Sequence, residues 1–168
     1  MILKDIFMQT RNQKAFTMVE LVFVIVVIGI LSAIALPRFG DTADAAYITK
    51  AQSALASVRA AMATERQRRI LRGDTTDITD LSLKSDGTAS ANAFDHFSAD
   101  KDGVFTEALM YAVKKCSGTQ RACWHKVDAT HYEYRFPKSG DGVAKFILTT
   151  NNRLDCDNDA ADCLIITR

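Results

Sequence analysis

Lys14–Pro37 reads KAFTMVELVFVIVVIGILSAIALP, with a single carboxylate, Glu20, near the start of an otherwise uncharged apolar run. As a helix, the run from Phe16 to Leu36 is about 31 Å long at about 1.5 Å per residue, which matches the hydrocarbon core of a bilayer. It is long enough to span. Lys4, Arg11 and Lys14 precede the run, whereas Arg38 is followed by Asp41 and Asp44. The positive-inside rule therefore leaves residues 1–15 in the cytoplasm and places everything after Pro37 outside.

Glu20 is the anomaly of this stretch. A carboxylate in a membrane helix costs roughly 2.5–3.5 kcal/mol on insertion scales and is a functional-site candidate by default. Lys4, Arg11 and Lys14 lie on the wrong side of the interface to neutralise it. The best available partner is an ammonium made at Phe16 by cutting the Ala15–Phe16 bond, so the sequence suggests processing.

The segment AFTMVELVFVIVVIGILSAIALP resembles the N-terminal signature of type IV pilins and of the pseudopilins of type II secretion. The shared features are a short basic leader, a cut before Phe, Glu at the fifth mature position and Pro at the twenty-second. Counted from Phe16, Glu20 is fifth and Pro37 twenty-second. One departure is Ala15, where the family usually has Gly before the cut. The resemblance covers Lys14–Pro37 and says little about the other three-quarters of the chain.

It implies that a prepilin peptidase cuts after Ala15 and N-methylates Phe16, and that Glu20 pairs with the Phe16 amine of a neighbouring subunit during assembly. Such a pair is strongly attractive in low dielectric, and leaving either member unpaired is costly, so Glu20 would pin the register. The implied partners are the peptidase, homologous pilin subunits in a helical filament and an inner-membrane assembly platform. The implied location is the bacterial inner membrane, single-pass with the C-terminal domain outside, and then a filament in the periplasm or at the cell surface. Catalysis by the chain is not expected.

Rival readings exist for the same stretch. Ala33 and Ala35 offer an A-x-A-like cleavage site for a secretory signal peptide, although Glu20 suits that role poorly. A plain anchor holding a non-polymerising binding domain is the other. Within the resemblance itself, a pilus subunit and a secretion pseudopilin remain alternatives. Two candidate disulfides and a long loop tilt the reading toward the pilus.

The remaining sequence bounds a small external domain. The 168 residues carry a formal net charge of +1, which offers no bulk electrostatic argument for nucleic acid. The expected division is a leader at 1–15, a transmembrane assembly segment at 16–36, the amphipathic half of one long helix at 37–73, and an α+β domain at 74–168. Pro37 predicts a bend rather than a stop. Gly29 and Ser32 permit close approach of neighbouring spans. Beyond Pro37, Tyr47, Ala51, Leu55, Val58 and Met62 recur every three or four residues, predicting one helix face resting on a sheet. The helix end carries Arg66, Arg68, Arg69 and Arg72, which reads either as a solvated C-terminus favoured by the dipole or as a DNA-contact patch. Gly73 is a plausible cap.

Asp74–Asp102 reads as a connecting loop. Phe105, Leu109, Tyr111 and Val113 permit a short helix within Val104–Lys115, with Asp102 as its cap. Tyr132–Phe136 and Val143–Thr150, separated by turn residues, predict a hairpin, and Leu164–Thr167 a third strand. The fold class is thus α+β and pilin-like, a long N-terminal helix on a small antiparallel sheet.

Four cysteines form two equal spacings, Cys116-x6-Cys123 and Cys156-x6-Cys163. Export to an oxidising compartment favours disulfides. Three connectivities are open, and local pairing, Cys116–Cys123 with Cys156–Cys163, is the first choice because each loop closes easily. A tetrahedral zinc site is the rival, disfavoured because structural zinc ligands usually come in pairs two to four residues apart. Asp155, Asp157, Asp159 and Asp162 surround the second cysteine pair and make a partial calcium-loop pattern that lacks the turn glycine and the closing Glu. The resemblance to major pseudopilins adds weight to calcium there, and Asp100, Asp102 and Glu107 are a weaker candidate. His96, His125 and His131 show no metal or catalytic spacing. The nucleophile elbow, phosphate loop and dinucleotide fingerprint are absent from the sequence. Trp124 reads most simply as a packing residue, with ligand contact as the alternative.

Overall fold

The computed structural model describes residues 16–111, 113–138, 140, 142–157 and 160–167, and the side chains of 36–41, 160 and 161 lie outside that description. The chain divides into two units, Met1–Gly40 and Asp41–Arg168. Helix α1, Met18–Leu71, contributes a segment to each. Pro37 falls inside the helix and does not end it.

In the second unit, α1 is followed by an irregular stretch and then by four strands. These are β1 (Cys123–Lys126), β2 (His131–Arg135), β3 (Val143–Thr149) and β4 (Arg153–Cys156), with α2 (Ala160–Thr167) closing the unit. The strands form one antiparallel meander in the order β1-β2-β3-β4. Trp124 faces Tyr134, Tyr132 faces Phe146, and Leu148 faces Leu154 across the ladders. Because side chains alternate along a strand, these residues share the buried face with Ala144.

Ala51, Leu55, Val58 and Met62 of α1 belong to that same core. Three or four residues apart, they form one stripe, as their spacing predicts. Tyr47 is the exception, being half exposed, because the stripe begins at Ala51. Around Trp124 the core is aromatic, with ring centroids of Phe94, Tyr134 and Phe146 at 5.1, 5.5 and 5.3 Å.

Two expected elements are replaced by others. Leu164–Thr167 belongs to helix α2 rather than to a third strand. Its β-branched run suggests a strand, but Cys163 and Ile166, three apart, are both buried on one helical face. Val104–Lys115 forms no helix. Its backbone pairs sideways with an earlier part of the loop, through Phe97 N to Thr106 O at 2.8 Å, Ala108 N to Asp95 O at 2.6 Å and Ala93 N to Val113 O at 2.6 Å. The Asp100 carboxylate accepts from the Asp102 and Val104 amides, and Gly103 takes a positive φ of 77°, so the chain turns where a helix would start. β1 and β4, both four residues long, had no separate signal in the sequence.

The connecting loop is also more than surface. It places Ile78, Leu81, Ala93, Phe94 and Phe97 in the core. Asp80 anchors it, accepting from Lys126 Nζ at 2.5 Å and from the Tyr132 hydroxyl at 3.1 Å.

Candidate functional site

The first candidate is the start of α1. Thr17 precedes the first helical residue, and its Oγ1 accepts from the Glu20 amide at 3.2 Å, while its carbonyl accepts from the Leu21 amide at 3.2 Å. This is one half of a capping box, T-x-x-E, in which the N-cap hydroxyl satisfies a donor that the helix cannot. Glu20 therefore stands in the first turn, where the helix dipole favours a negative charge. The capping pattern is legible in the sequence, since Thr17 and Glu20 have the T-x-x-E spacing.

From Met18 to Ala35 the helix is long and apolar enough to cross a membrane, and no residue of that window is buried within the chain. Phe16 is 75% exposed. A methyl group added at Gly29 would meet nothing within 4 Å. The surface is thus wholly available to lipid or to other chains. Ala15 lies outside the described residues, as do Lys4, Arg11 and Lys14.

The arginines at the end of α1 divide between solvent and interior: Arg72 is exposed, Arg66 and Arg68 are half-buried, and Arg69 is buried. Arg69 Nε donates to Glu65 Oε1 at 2.7 Å, and Arg68 makes a two-pronged contact with Glu65 at 2.7 and 2.6 Å. Arg68 also reaches Thr106 Oγ1 at 2.7 Å and Asp100, while Arg66 pairs with Asp77 at 3.2 Å. Burial alone pushes the Glu65 carboxyl up, but the hydrogen bonds from Arg68 and Arg69 overcome it and hold the group below its ordinary range. The helix then stops at a Schellman cap, with Gly73 at φ 68°, its amide on Ile70 O at 2.9 Å and the Asp74 amide on Arg69 O at 2.8 Å.

The structure contains two disulfides, Cys116–Cys123 at the edge strand β1 and Cys156–Cys163 at the opposite edge strand β4, with Cα separations of 5.5 and 5.9 Å. The second ties β4 to α2. The described aspartates around it are divided among different elements. Asp155 lies in β4 opposite Ile147 and 3.4 Å from Arg153, Asp162 lies in the first turn of α2, and the Asp157 amide donates to Lys145 O at 3.0 Å. Asp159 lies outside the described residues. Among the described residues, no three His, Cys, Asp or Glu side chains are grouped so as to hold a metal ion. In the weaker set, Asp100 is engaged by two backbone amides and Arg68.

Residues 10–36 match the family model described as the prokaryotic N-terminal methylation motif. The chain carries that motif. Among characterised proteins, the motif-bearing third of this chain is 52% identical over 50 residues to a type IV narrow pilus major component of Thermus thermophilus, covering 30% of this chain and 43% of that one. It is 41% identical over 51 residues to a fimbrial protein of Pseudomonas aeruginosa, covering 30% and 33%. It is 36% identical over 55 residues to the type II secretion system core protein G of Pseudomonas aeruginosa, covering 33% and 39%. The chain thus spans less than half the length of these relatives. No solved structure matches it. The methylation motif includes Ala15, Phe16 and Glu20, and its end coincides with Leu36.

Proposed function

We propose that this chain is a structural subunit of a type IV pilus-like filament, held in the inner membrane by residues 16–36 with its C-terminal domain outside. The observation that carries the reading is the methylation motif placed on an apolar helix whose first turn holds one carboxylate, Glu20. Prepilin peptidase cleaves the Ala15–Phe16 bond and methylates the new amine. Glu20 then meets the Phe16 ammonium of the next protomer. The pair forms in hydrocarbon, where an unpaired member is costly, so docking in any other register is disfavoured. The exposed apolar stripe of α1 packs against copies of itself, first among lipids and then in the fibre core. Non-closing contacts between copies build an open helix.

Similarity to the secretion core protein supports a second reading, a pseudopilin that serves protein export. The two differ in phenotype. Deletion that removes surface fibres supports the pilus reading, whereas deletion that stops enzyme export while fibres persist supports the other. The first test is mass spectrometry of the unreduced native chain. A polypeptide beginning at methylated Phe16 is expected, and one that retains residues 1–15 and forms no fibres overturns the proposal.

A further inference from the structure

The second unit carries a groove of about 480 Å³ whose walls include Tyr47, Lys50 and Ala54 of α1 and Tyr111, Val113 and Lys114 of the irregular stretch. Large apolar surface gathers there outside the core. Tyr111 is 85% exposed, Met110 beside it in the chain 80%, and Tyr47 about half. The charge is one-sided. Lys50 and Lys114 are exposed and make no ion pair among the described residues, and no described carboxylate lines the groove. Asp44, the acid nearest to Tyr47 along α1, is engaged by Lys138 at 3.3 Å.

Tyrosines set among unpaired lysines suit the boundary between water and an anionic bilayer. A tyrosine ring lies at headgroup depth and keeps its hydroxyl wet, while a lysine lays its stem along the interface and points its ammonium at lipid charge. The volume is that of a site for one small molecule or headgroup. A bilayer surface is also within reach. Tyr47 follows Leu36, the end of the apolar run, by eleven positions, at most about 40 Å of fully extended chain. A soluble anion would satisfy the lysines but leave Met110 and Tyr111 in water, whereas a lipid covers both the charge and the apolar surface.

We infer that the groove takes an anionic phospholipid headgroup of the membrane that anchors the chain, with Lys50 and Lys114 pairing with its charge and Tyr47, Met110 and Tyr111 lying in the interfacial layer. The inference rests on the reading that residues 16–36 span the membrane, and it concerns the stored subunit before assembly.

The test places the full chain in vesicles of phosphatidylcholine, with or without phosphatidylglycerol, each doped with a lipid carrying a dansyl headgroup. Trp124, the one tryptophan of the chain, lines the groove and serves as the energy donor. Transfer to dansyl should be higher with phosphatidylglycerol and should fall as salt is added. Each lysine close to an anionic surface shifts the docked-to-undocked ratio about fivefold, so Lys50→Gln with Lys114→Gln should lower that ratio about thirtyfold. Tyr111→Ser should lower transfer too, whereas Lys84→Gln, outside the groove, should leave it unchanged. The variants are compared with both disulfides intact by unreduced mass spectrometry. Equal transfer in the two lipids, or parental transfer in the double variant, overturns the inference, and a chain that then stays in the vesicles through an alkaline carbonate wash leaves the span reading standing. Transfer that appears only at high protein-to-lipid ratio makes a second copy the occupant and also overturns the inference. Release of the chain by the wash overturns the span reading and the inference together.

Discussion

Arg69 Nε donates to Glu65 Oε1 at 2.7 Å, one turn apart on α1, with only 1% and 3% of the two side chains exposed. The pair continues the stripe of Ala51, Leu55, Val58 and Met62 by the same spacing, so the face that is apolar at its start ends in a buried ion pair. Arg69 also donates to Ser98 O at 2.5 Å and to Thr76 O at 3.3 Å, which fastens the helix end to the loop.

Removing Glu65 leaves the buried Arg69 cation without its counterion, which costs about 3–5 kcal/mol, whereas removing Arg69 leaves Glu65 its two contacts with Arg68. Glu65→Met should therefore destabilise the second unit strongly, and Glu65→Met with Arg69→Met together should cost less than the sum of the single changes. Urea unfolding of the detergent-solubilised chain, followed through the fluorescence of its one tryptophan, measures both. A single-variant loss within about 0.5 kcal/mol, the range of ordinary surface changes, contradicts the assignment.

The same unit should weaken in acid and in strong base. Glu65 is held below its ordinary value of 4.5 against burial by Arg68 and Arg69, and hydrogen bonds from Thr76 and Lys101 hold Asp74 at about 2 against an ordinary 3.8. For a lowered carboxyl the stabilisation is complete above the unfolded value and is lost as pH falls through the folded one. The loss therefore begins near pH 4.5 and runs to about pH 2. Burial pushes Tyr134 up to about 12, so its contribution is complete below pH 10 and is lost as pH rises toward about 12. Stability measured across the range should be flat in the middle and fall at both ends. A maximum below pH 4 contradicts the acid limb.

What the sequence conveyed depended on how local the signal was. The apolar run from Phe16 to Leu36, the helix stripe and the β2–β3 hairpin are patterns of period 3.6 or 2, readable in one short window. The stretch from Val104 to Lys115 forms no helix because its backbone hydrogen bonds go to residues 91–100, most of which no window around Leu109 contains. α2 was misread because β-branched composition outweighed the three-residue spacing of Cys163 and Ile166. The arginine end was legible only in part, since Arg72 is solvated as a helix terminus suggests while Arg69 is buried. Arg66, Arg68, Arg69 and Arg72 are adjacent in sequence, whereas Asp77, Asp100 and Thr106, which engage them together with Glu65, lie up to 41 residues from it.

Cys163 is fully buried, and its bond to Cys156 spans seven residues. In the loop-entropy account a bridge of this length contributes about 2–3 kcal/mol. Cys156→Ser with Cys163→Ser should lower stability by that amount, with the loss concentrated in α2. β4 keeps its ladder to β3, whereas α2 loses its buried Cys163 and keeps the buried Ile166 and the Gln52 contact to Ile165 O at 2.8 Å. Hydrogen exchange of the unreduced double variant should show α2 amides losing protection ahead of those in β3. Equal loss across the sheet indicates that the bridge supports the whole unit instead.

Glu20 has a local role and a proposed assembly role, and substitutions separate them. Locally, its amide completes the Thr17 cap, a backbone contact that Glu20→Ala leaves in place. Thr17→Ala removes the cap hydroxyl and should cost about 1 kcal/mol at the helix start. It should fray the first turn without abolishing assembly, because the carboxylate remains. Glu20→Ala retains the cap but removes the only acid in the apolar segment, leaving the Phe16 ammonium of the neighbour unpaired in lipid. Fibre yield in sheared fractions should therefore fall to background for Glu20→Ala and remain measurable for Thr17→Ala, with membrane levels of both chains equal to the parent. Normal fibres from Glu20→Ala would confine this residue to the helix dipole and remove it from the filament contact.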